Sequence, residues 1–586
     1  MKPALPTPDE LGSLYGLFKH RLHETPDQCA YLRYEEGIDQ WREVTWREVG
    51  KWLGRWVSAL QKERLSPGDR VGIALRNSIE WVLADQAAMA LGLVTVPLFV
   101  DDRAESMAYI LDHAAVRVLF MSDAAHYKKL KPALSDYHSL QKVVLLKDQS
   151  DDTLAVNLAD WLSAHTDLTL PADFLRLEDL ATIVYTSGTT GKPKGVRLTH
   201  QNILSNVHAS LQVFECTPGD RLLSFLPLSH MLERTAGYYL PMMAGSCVAH
   251  ARSIQLLRED MQQTQPTLLI AVPRIFERVY ARLEEQLLHA SALKRTLFDW
   301  TSACGWRRFE ATQNGQKPAL LDRLLWPVYE RLVASKIQNA LGGKLRAAFS
   351  GGAPLPFCVA RRFLSLGVTI LQGYGLSETS PVVSVNTPTR NRPTSVGTKL
   401  PGLELKLGEE NELLVRGPSV MAGYHRNDEA TRTAIDEQGW FRTGDQAHIE
   451  EGFLTITGRL KDILVLSNGE KVSPGDIEST LKLDPLLEEV VVFGEGKPFI
   501  GALVVVNADL WPALAERLGQ RPAPERYLVK HCNELLEGFA AHAKIRRVVI
   551  STQSWAIESG ELTPTLKVKR AVVLERFKEE IETLYA

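Results

Sequence analysis

Between residues 40 and 180, short unbroken apolar runs alternate with stretches whose apolar positions recur every three or four residues. Arg70 to Leu75 reads as a buried strand, and Ser78 stands where it could cap an amphipathic helix over Ile79 to Leu91, closed by Gly92. Val94 to Val96 is strand-like again, a helix follows around Met107 to Ala115, and Val118 to Met121 and Val143 to Leu146 are two further apolar runs. This rhythm predicts an α/β fold in which helices cover a parallel sheet. It continues through Ala181 to Val184, through Arg221 to Leu226 before Pro227, and through Thr267 to Val272 before Pro273.

From Arg274 to Ala340 the period becomes helical, with Ile275, Val279, Leu283 and Leu287 four residues apart. The segment carries eleven Lys/Arg against seven Asp/Glu, a net charge of +4 in a chain at -3. Two structures fit it: a basic amphipathic surface resting on anionic lipid, or, more commonly, a solvated helical hairpin packed on its domain. Beyond Pro393 short strands with Gly/Pro punctuation take over, including a hairpin of Leu403 to Leu407 with Leu413 to Val415, then Phe453 to Ile456. After Asp462 a smaller α+β region contains the strand candidates Val490 to Phe493 and Leu503 to Val506.

Composition narrows the class. A chain of 586 residues exceeds one core and predicts at least two domains. Hydrophobic content of 45% and charged content of 23% fit a soluble globular protein. A net charge of -3 argues against a general nucleic-acid binder, which needs excess positive charge to displace counterions. The opening residues Met1 to Pro6 lack the apolar core of a signal peptide. Asp85, Gln86 and Pro97 interrupt the most membrane-like stretch, Trp81 to Val100. The six cysteines (Cys29, Cys216, Cys247, Cys304, Cys358, Cys532) are scattered, with no Cys-x-x-Cys pair, and read as reduced core thiols. A cytoplasmic, enzyme-sized protein is the expectation.

The chemistry concentrates at Tyr185-Thr186-Ser187-Gly188-Thr189-Thr190-Gly191-Lys192-Pro193-Lys194-Gly195, directly after the apolar run Ala181 to Val184. Three glycines, four aliphatic hydroxyls and two lysines offer bare N–H groups, hydroxyl donors and positive charge together, as a polyphosphate requires. The spacing is not that of the Walker loop: only Thr189 and Thr190 separate Gly188 from Gly191, and Pro193 follows Lys192. Pro193 stiffens the turn that presents Lys194. Composition alone fits a flexible surface loop equally well.

The order of residues in this loop resembles the phosphate loop of the adenylate-forming superfamily, which includes acyl-CoA synthetases, luciferases and non-ribosomal adenylation domains. Later segments match the same superfamily in order. Ser350-Gly351-Gly352-Ala353-Pro354 would let a flat base lie against backbone. Gln372-Gly373-Tyr374-Gly375-Leu376-Ser377-Glu378-Thr379 offers a ring to stack, a carboxylate for a hard cation and a hydroxyl for a phosphate. Trp440 to Asp445 is similar to the ribose-binding segment, with Asp445 as acceptor, and Gly458-Arg459-Leu460-Lys461-Asp462 to the inter-domain hinge. Asn468 to Val472, with Lys471, resembles the loop that follows, and Leu562 to Arg570 the segment bearing the adenylation lysine, placed at Lys567. Leu226 to Arg234, Val272 to Arg278 and the Leu-Thr-Pro-Thr-Leu-Lys run resemble the long-chain fatty acid–CoA ligases. Leu566 stands where many relatives have Gly, and Gln446-Ala447 replaces the usual small or aliphatic pair after Asp445.

The resemblance implies a large N-terminal domain, residues 1–458, of parallel and mixed sheets with helices, including the helical segment 274–340 and a β-rich part, 393–458. A hinge, 459–462, centred on Lys461, and a small mobile α+β domain, 463–586, complete it. The implied reaction is ATP-dependent activation of a medium- or long-chain fatty acid to acyl-AMP, then transfer to coenzyme A. Lys567, His230 and Glu378 are the implied catalytic residues, with Mg²⁺ at Glu378 and Thr186. Thr186 to Gly191, Lys192, Lys194, Gly351, Gly352, Ala353, Tyr374, Gly375, Thr379, Asp445, Arg459 and Lys471 are the implied nucleotide contacts. A capping role is the rival for His230. Two other functions remain open: an acyl-AMP ligase that hands its product to a carrier protein, and an adenylate-fold protein that binds without turnover.

Overall fold

The apolar runs pair as their alternation predicts. The computed structural model describes residues 5–135, 137–163, 168–186, 192–519, 523–557, 559–563 and 567–585. The strand Arg70–Ala74 lies parallel to Val94–Pro97 on one side and to Val116–Met121 on the other. Lys142–Leu145 and Ala155–Asn157 extend the sheet outward, and Leu180–Thr186 joins beside Val94–Pro97. The helix Ile79–Ala90 starts where Ser78 Oγ accepts from the Trp81 N–H at 3.2 Å. It is buried on every face because the helix Trp46–Gln61 packs on it from outside the sheet. This sheet, of eight strands among the described residues, ends in the antiparallel hairpin Leu180–Thr186/Lys194–Thr199 and the short strand Gly423–Tyr424. Thr186 and Lys194, on either side of the glycine-rich motif, therefore stand at the end of a hairpin stem.

A second sheet has thirteen strands among the described residues. One half is mostly parallel: Cys29–Glu35, Cys247–His250, Arg221–Ser224, Leu268–Ala271, Ala347–Ser350 and Ile370–Gly375 lie side by side. Ile370–Gly375 then pairs antiparallel with Val382–Val385, and the β-rich strands, out to Glu404–Leu407, continue from there. The β-rich part is thus hydrogen-bonded into the same sheet. The parallel strands bring their C-terminal ends to one edge, where open α/β sheets bind ligands.

The helical segment contains Pro273–Leu288, Ala292–Gln313, Leu320–Tyr329 and Ser335–Ala340. Arg307 pairs with the buried Asp322 at 2.5 Å, and Cys304, Trp326 and Ala334 form a small core between the helices. The outer side is not polar throughout: Leu288, Leu293, Leu320, Leu321 and Leu324 are 64–78% exposed, with Trp300 at 58%.

After Phe453–Arg459 comes a smaller unit with its own core around Ile477, Leu481, Val490, Val504, Leu528 and Cys532. Its three-stranded sheet is Leu487–Phe493, Gly501–Val506 and Arg547–Ser551. All six cysteines are free; Cys247, Cys304 and Cys532 are buried, Cys29 and Cys216 half-buried, and Cys358 exposed. Among the described residues no helix is long and apolar enough to cross a membrane.

Candidate active site

A cleft of about 3290 Å³ opens between the strand ends of the large unit and the small unit. Ser350 to Ala353, Gln372 to Glu378, Arg442 to Asp445, Arg459 and Lys461 line it from one side, and Thr563, Lys567 and Lys569 from the other. Thr186, Lys192, Pro193 and Lys194 reach it from the hairpin; Ser187, Gly188, Thr189, Thr190 and Gly191 lie outside the described residues. The register Tyr185↔Gly195 and Thr186↔Lys194 closes the hairpin stem. Gly195 is required there: a Cβ would stand 2.8 Å from Ile183 Cγ2 and 3.0 Å from the Tyr185 ring.

The wall of the cleft that carries Asp445 is pre-organised by hydrogen bonds. Tyr374 donates through its phenol to Asp445 Oδ2 at 2.5 Å, and Arg459 Nε donates to Asp445 Oδ1 at 2.9 Å. Asp445 and Arg459 face each other because their strands pair in that register. The Asp445 carboxylate is buried yet fully ionically supported, and it is fixed as an acceptor at the cleft.

Glu378 is held differently. Its Oε1 accepts from the Tyr424 phenol at 3.0 Å, and Lys194 Nζ lies 5.1 Å from the Tyr424 ring centroid. Burial raises the Glu378 carboxyl pKa, against the hydrogen bond from Tyr424, so the group lacks a full counter-charge in the protein. Sequence reasoning missed Tyr424, because an isolated Gly-Tyr in a loop carries no period or motif to single it out.

His230 begins the short helix Met231–Glu233, and its Nδ1 accepts from the Leu232 N–H at 3.2 Å. The capping role and a cleft role are compatible. With Nδ1 accepting, the neutral ring carries its proton on Nε2 and can donate from there. Burial, with the Lys567 charge second, pushes the His230 pKa down to about 4, so the ring is neutral near pH 7.

Lys567 enters the same space from the small unit. Its side chain remains open to solvent, but the cleft walls around it lower the ammonium pKa, with Arg459 adding to the shift and Asp445 opposing it. Three ion pairs tie the small unit down or brace the tie: Arg274 to Glu489 at 3.0 Å, Lys482 to Glu489 at 3.7 Å, and Lys471 to Glu410 at 2.9 Å.

Two expected nucleotide contacts are not at the cleft. Thr379 is fully buried, and its hydroxyl donates to Pro381 O at 2.6 Å and accepts from the Leu376 N–H at 3.1 Å, closing its own turn. Successive residues of the 3₁₀ turn Ser377–Thr379 point about 120° apart, so Ser377 faces the cleft and Thr379 the core. Lys471 stands outside the cleft, paired to Glu410 across the two units.

Apolar side chains also line the cleft, among them Leu226, Leu240, Leu268, Ile270, Phe349 and Val385.

Comparison with known proteins places the chain. The model of the AMP-binding enzyme family matches residues 18–425, and that of the AMP-binding enzyme C-terminal domain matches residues 461–586. A long-chain-fatty-acid–CoA ligase, FadD15, of Mycobacterium bovis is 34% identical over 594 residues, 97% of this chain and 96% of that one. A chloroplastic long-chain-fatty-acid–[acyl-carrier-protein] ligase of Arabidopsis thaliana is 28% identical over 93% of this chain and 83% of its own length. Among solved structures, an anthranilate CoA ligase in complex with anthranoyl-AMP shares the fold at a TM-score of 0.76 and 20% identity, covering 98% of each chain. The α/β architecture, with a large N-terminal domain of mixed sheets and a smaller C-terminal one, is that of adenylate-forming enzymes. The chain belongs to the AMP-binding enzyme family.

Proposed function

We propose that this enzyme activates a medium- or long-chain fatty acid with ATP and passes the acyl group to coenzyme A. The observation that carries the proposal is the convergence of Lys567, His230, Glu378, Asp445 and Arg459 on one cleft that is also lined by apolar side chains such as Leu226, Ile270 and Phe349. The similarity to long-chain-fatty-acid–CoA ligases over nearly the full length supports the same substrate class.

In the first step the fatty carboxylate attacks the α-phosphorus of ATP and pyrophosphate leaves. Two anions must meet, so the site has to offset charge where it gathers. Lys567 supplies the mobile cation between carboxylate and α-phosphate, and Lys192 and Lys194 attend the departing phosphates. Asp445, fixed by Tyr374 and Arg459, takes the ribose hydroxyls. Gly351 to Ala353 give the base a flat backbone surface, beside the Gly375 to Ser377 turn at the end of the neighbouring strand. Glu378, an under-compensated carboxylate, and the Thr186 hydroxyl are hard oxygen donors suited to Mg²⁺. When bound, the metal would neutralise phosphate charge. His230, neutral and donating from Nε2, can stabilise the oxygen that gains charge as the acyl carbonyl is attacked.

In the second step the thiol must approach the acyl carbonyl from the side that Lys567 occupies. Rotation of the small domain about Lys461 would clear it. The ion pair Lys471–Glu410 is exposed, and such pairs contribute about 0–1 kcal/mol each, so breaking this one costs little.

The exposed apolar side of the helical segment, set among its basic residues, supports peripheral binding to an anionic membrane. Such a surface would bring the enzyme to a reservoir of fatty acids.

ATP–pyrophosphate exchange measured with acids from acetate to oleate tests the activation step. Exchange that rises beyond octanoate is expected; a maximum at acetate or benzoate, or no exchange with any acid, would contradict the assignment. Thioester formation with coenzyme A against acyl carrier protein then fixes the acceptor.

A further inference from the structure

At the end of the parallel strands opposite the active-site cleft, two thiols meet. Cys29 opens the strand Cys29–Glu35 and Cys247 opens Cys247–His250, and their sulfurs are 2.8 Å apart, inside the separation at which two non-bonded sulfurs rest. Both are free cysteines, 218 residues apart in the chain.

The backbone explains how they come to face each other. The two strands are parallel, with Tyr31 opposite Val248 and Leu32 opposite Ala249. Counting back, Cys247 faces Ala30, so in regular strands Cys29 would point to the other side of the sheet. A bulge between Cys29 and Tyr31, where the partner strand runs from Thr45 to Val44, absorbs one residue. Ala30 and Tyr31 both enter the core on one face, with Val248. Cys29 is thereby turned to the opposite face, where Cys247 and Leu32 pack. A lateral spacing of about 4.8 Å and one residue of about 3.3 Å along the strand put the two Cα atoms roughly 5.8 Å apart. That lies in the middle of the range of about 4.4–6.8 Å that disulfides span.

The pair is also reachable. A cavity of about 440 Å³ lined by Gln28, Asp220, Arg221, Gln265 and Lys344 opens onto both sulfurs. Cys29 is the less buried of the two. The S–H of Cys247 donated to Cys29, with the Arg221 charge acting the same way, lowers the Cys29 pKa and favours its thiolate.

We propose that Cys29 and Cys247 form a redox-modification site that closes into a disulfide with a peroxide and reopens with a dithiol reductant. The Cys29 thiolate attacks one peroxide oxygen, the O–O bond breaks, and hydroxide leaves a sulfenic acid. Cys247 then attacks the Cys29 sulfur, displaces its oxygen as water and gives up its own proton to it. Overall two thiols and one hydrogen peroxide give one disulfide and two waters, with two electrons passing from sulfur to peroxide. The bond would tie the strand Cys29–Glu35, and through it the edge strand Gln40–Thr45, covalently to Cys247–His250.

Intact-mass and peptide mass spectrometry of the full chain after hydrogen peroxide, followed by thiol alkylation, test this without reference to ligase activity. The expected result is a loss of two hydrogens, a Cys29–Cys247 linked peptide, alkylation at the other four cysteines, and full reversal by dithiothreitol. Sulfinic acid at Cys29 with Cys247 still alkylated, or both thiols still alkylated after peroxide, would overturn it. Phenylarsine oxide, which bridges neighbouring thiols, supplies a second reading on unoxidised protein. One equivalent should bind wild type and none C29S; no binding to wild type, or equal binding to both, would overturn the pairing.

Discussion

Tyr185, at the start of the phosphate-loop motif, and His113, on the helix Ala104–Ala114, are joined by a 2.7 Å hydrogen bond between the phenol and Nδ1. One turn earlier on that helix, Tyr109 stacks on the His113 ring, with centroids 5.4 Å apart. Tyr109 also carries Lys192 Nζ 5.1 Å from its ring centroid, and its hydroxyl donates to Pro193 O at 3.4 Å. One helix therefore grips both limbs of the loop.

Tyr109→Leu should free Lys192 and raise KM for ATP several-fold, leaving KM for the fatty acid and Tm close to wild type. Cation–π contacts at such sites contribute about 0.5–2 kcal/mol, which sets that scale. Tyr109→Phe keeps the ring and should restore KM. Steady-state kinetics with each substrate varied in turn decide the matter; equal changes in both KM values would mean that the helix only supports the fold.

Glu378→Gln keeps the shape of the side chain and removes its charge. Pyrophosphate exchange at saturating acid should fall by about a hundredfold or more, the scale of losing one preorganised electrostatic group. Tm should stay within a few degrees, since the Tyr424 phenol can donate to the amide oxygen. Wild-type exchange at limiting Mg²⁺ would remove Glu378 from the metal site.

Glu233 provides a test by pH. Both carboxylate oxygens are buried, and burial, opposed by the Ser224 hydroxyl, lifts the pKa from 4.5 to about 8. The protonated form is thus favoured in the folded state, so the stability it contributes is complete below pH 4.5 and is lost as pH rises towards 8. Glu233→Gln should lose this dependence: its Tm relative to wild type should climb between pH 5 and pH 8. Thermal melts of the two proteins across that window give the difference, in which effects of the buried histidines cancel. A constant difference would mean that Glu233 is ionised when folded.

The exposed side of the helical segment predicts reversible binding to vesicles that contain anionic lipid, weakened by salt. Leu321→Glu with Leu324→Glu, both residues being about two-thirds exposed at 64% and 66%, should abolish flotation with vesicles and leave Tm unchanged. Flotation of the double variant at the wild-type level would assign the surface elsewhere.

Much of the fold is legible in the sequence where apolar spacing has one meaning. Arg70 to Leu75 and Ile79 to Leu91 are such elements, and the strand and helix stand within a residue of those limits. Motif residues far apart in the chain, Asp445, Glu378 and Lys567, do come together at one cleft. Within a tight turn that logic fails, because a spacing of two residues in Ser377–Thr379 exchanges cleft for core. His113 and Tyr109 are not legible at all: their partners lie 72 and 84 residues away, and only packing brings them together. The Lys471–Glu410 pair depends on how the two units dock, which no local pattern encodes.

The account rests on Lys567 serving the adenylation step from a domain that must then move. The most direct measurement separates the half-reactions in Lys567→Ala. From ATP and free fatty acid, acyl-adenylate formation should fall by about a hundredfold or more. Given ready-made acyl-adenylate and coenzyme A, the same variant should form thioester at a rate close to wild type. Equal loss in both half-reactions, or full activity in the first, would contradict the role assigned to Lys567.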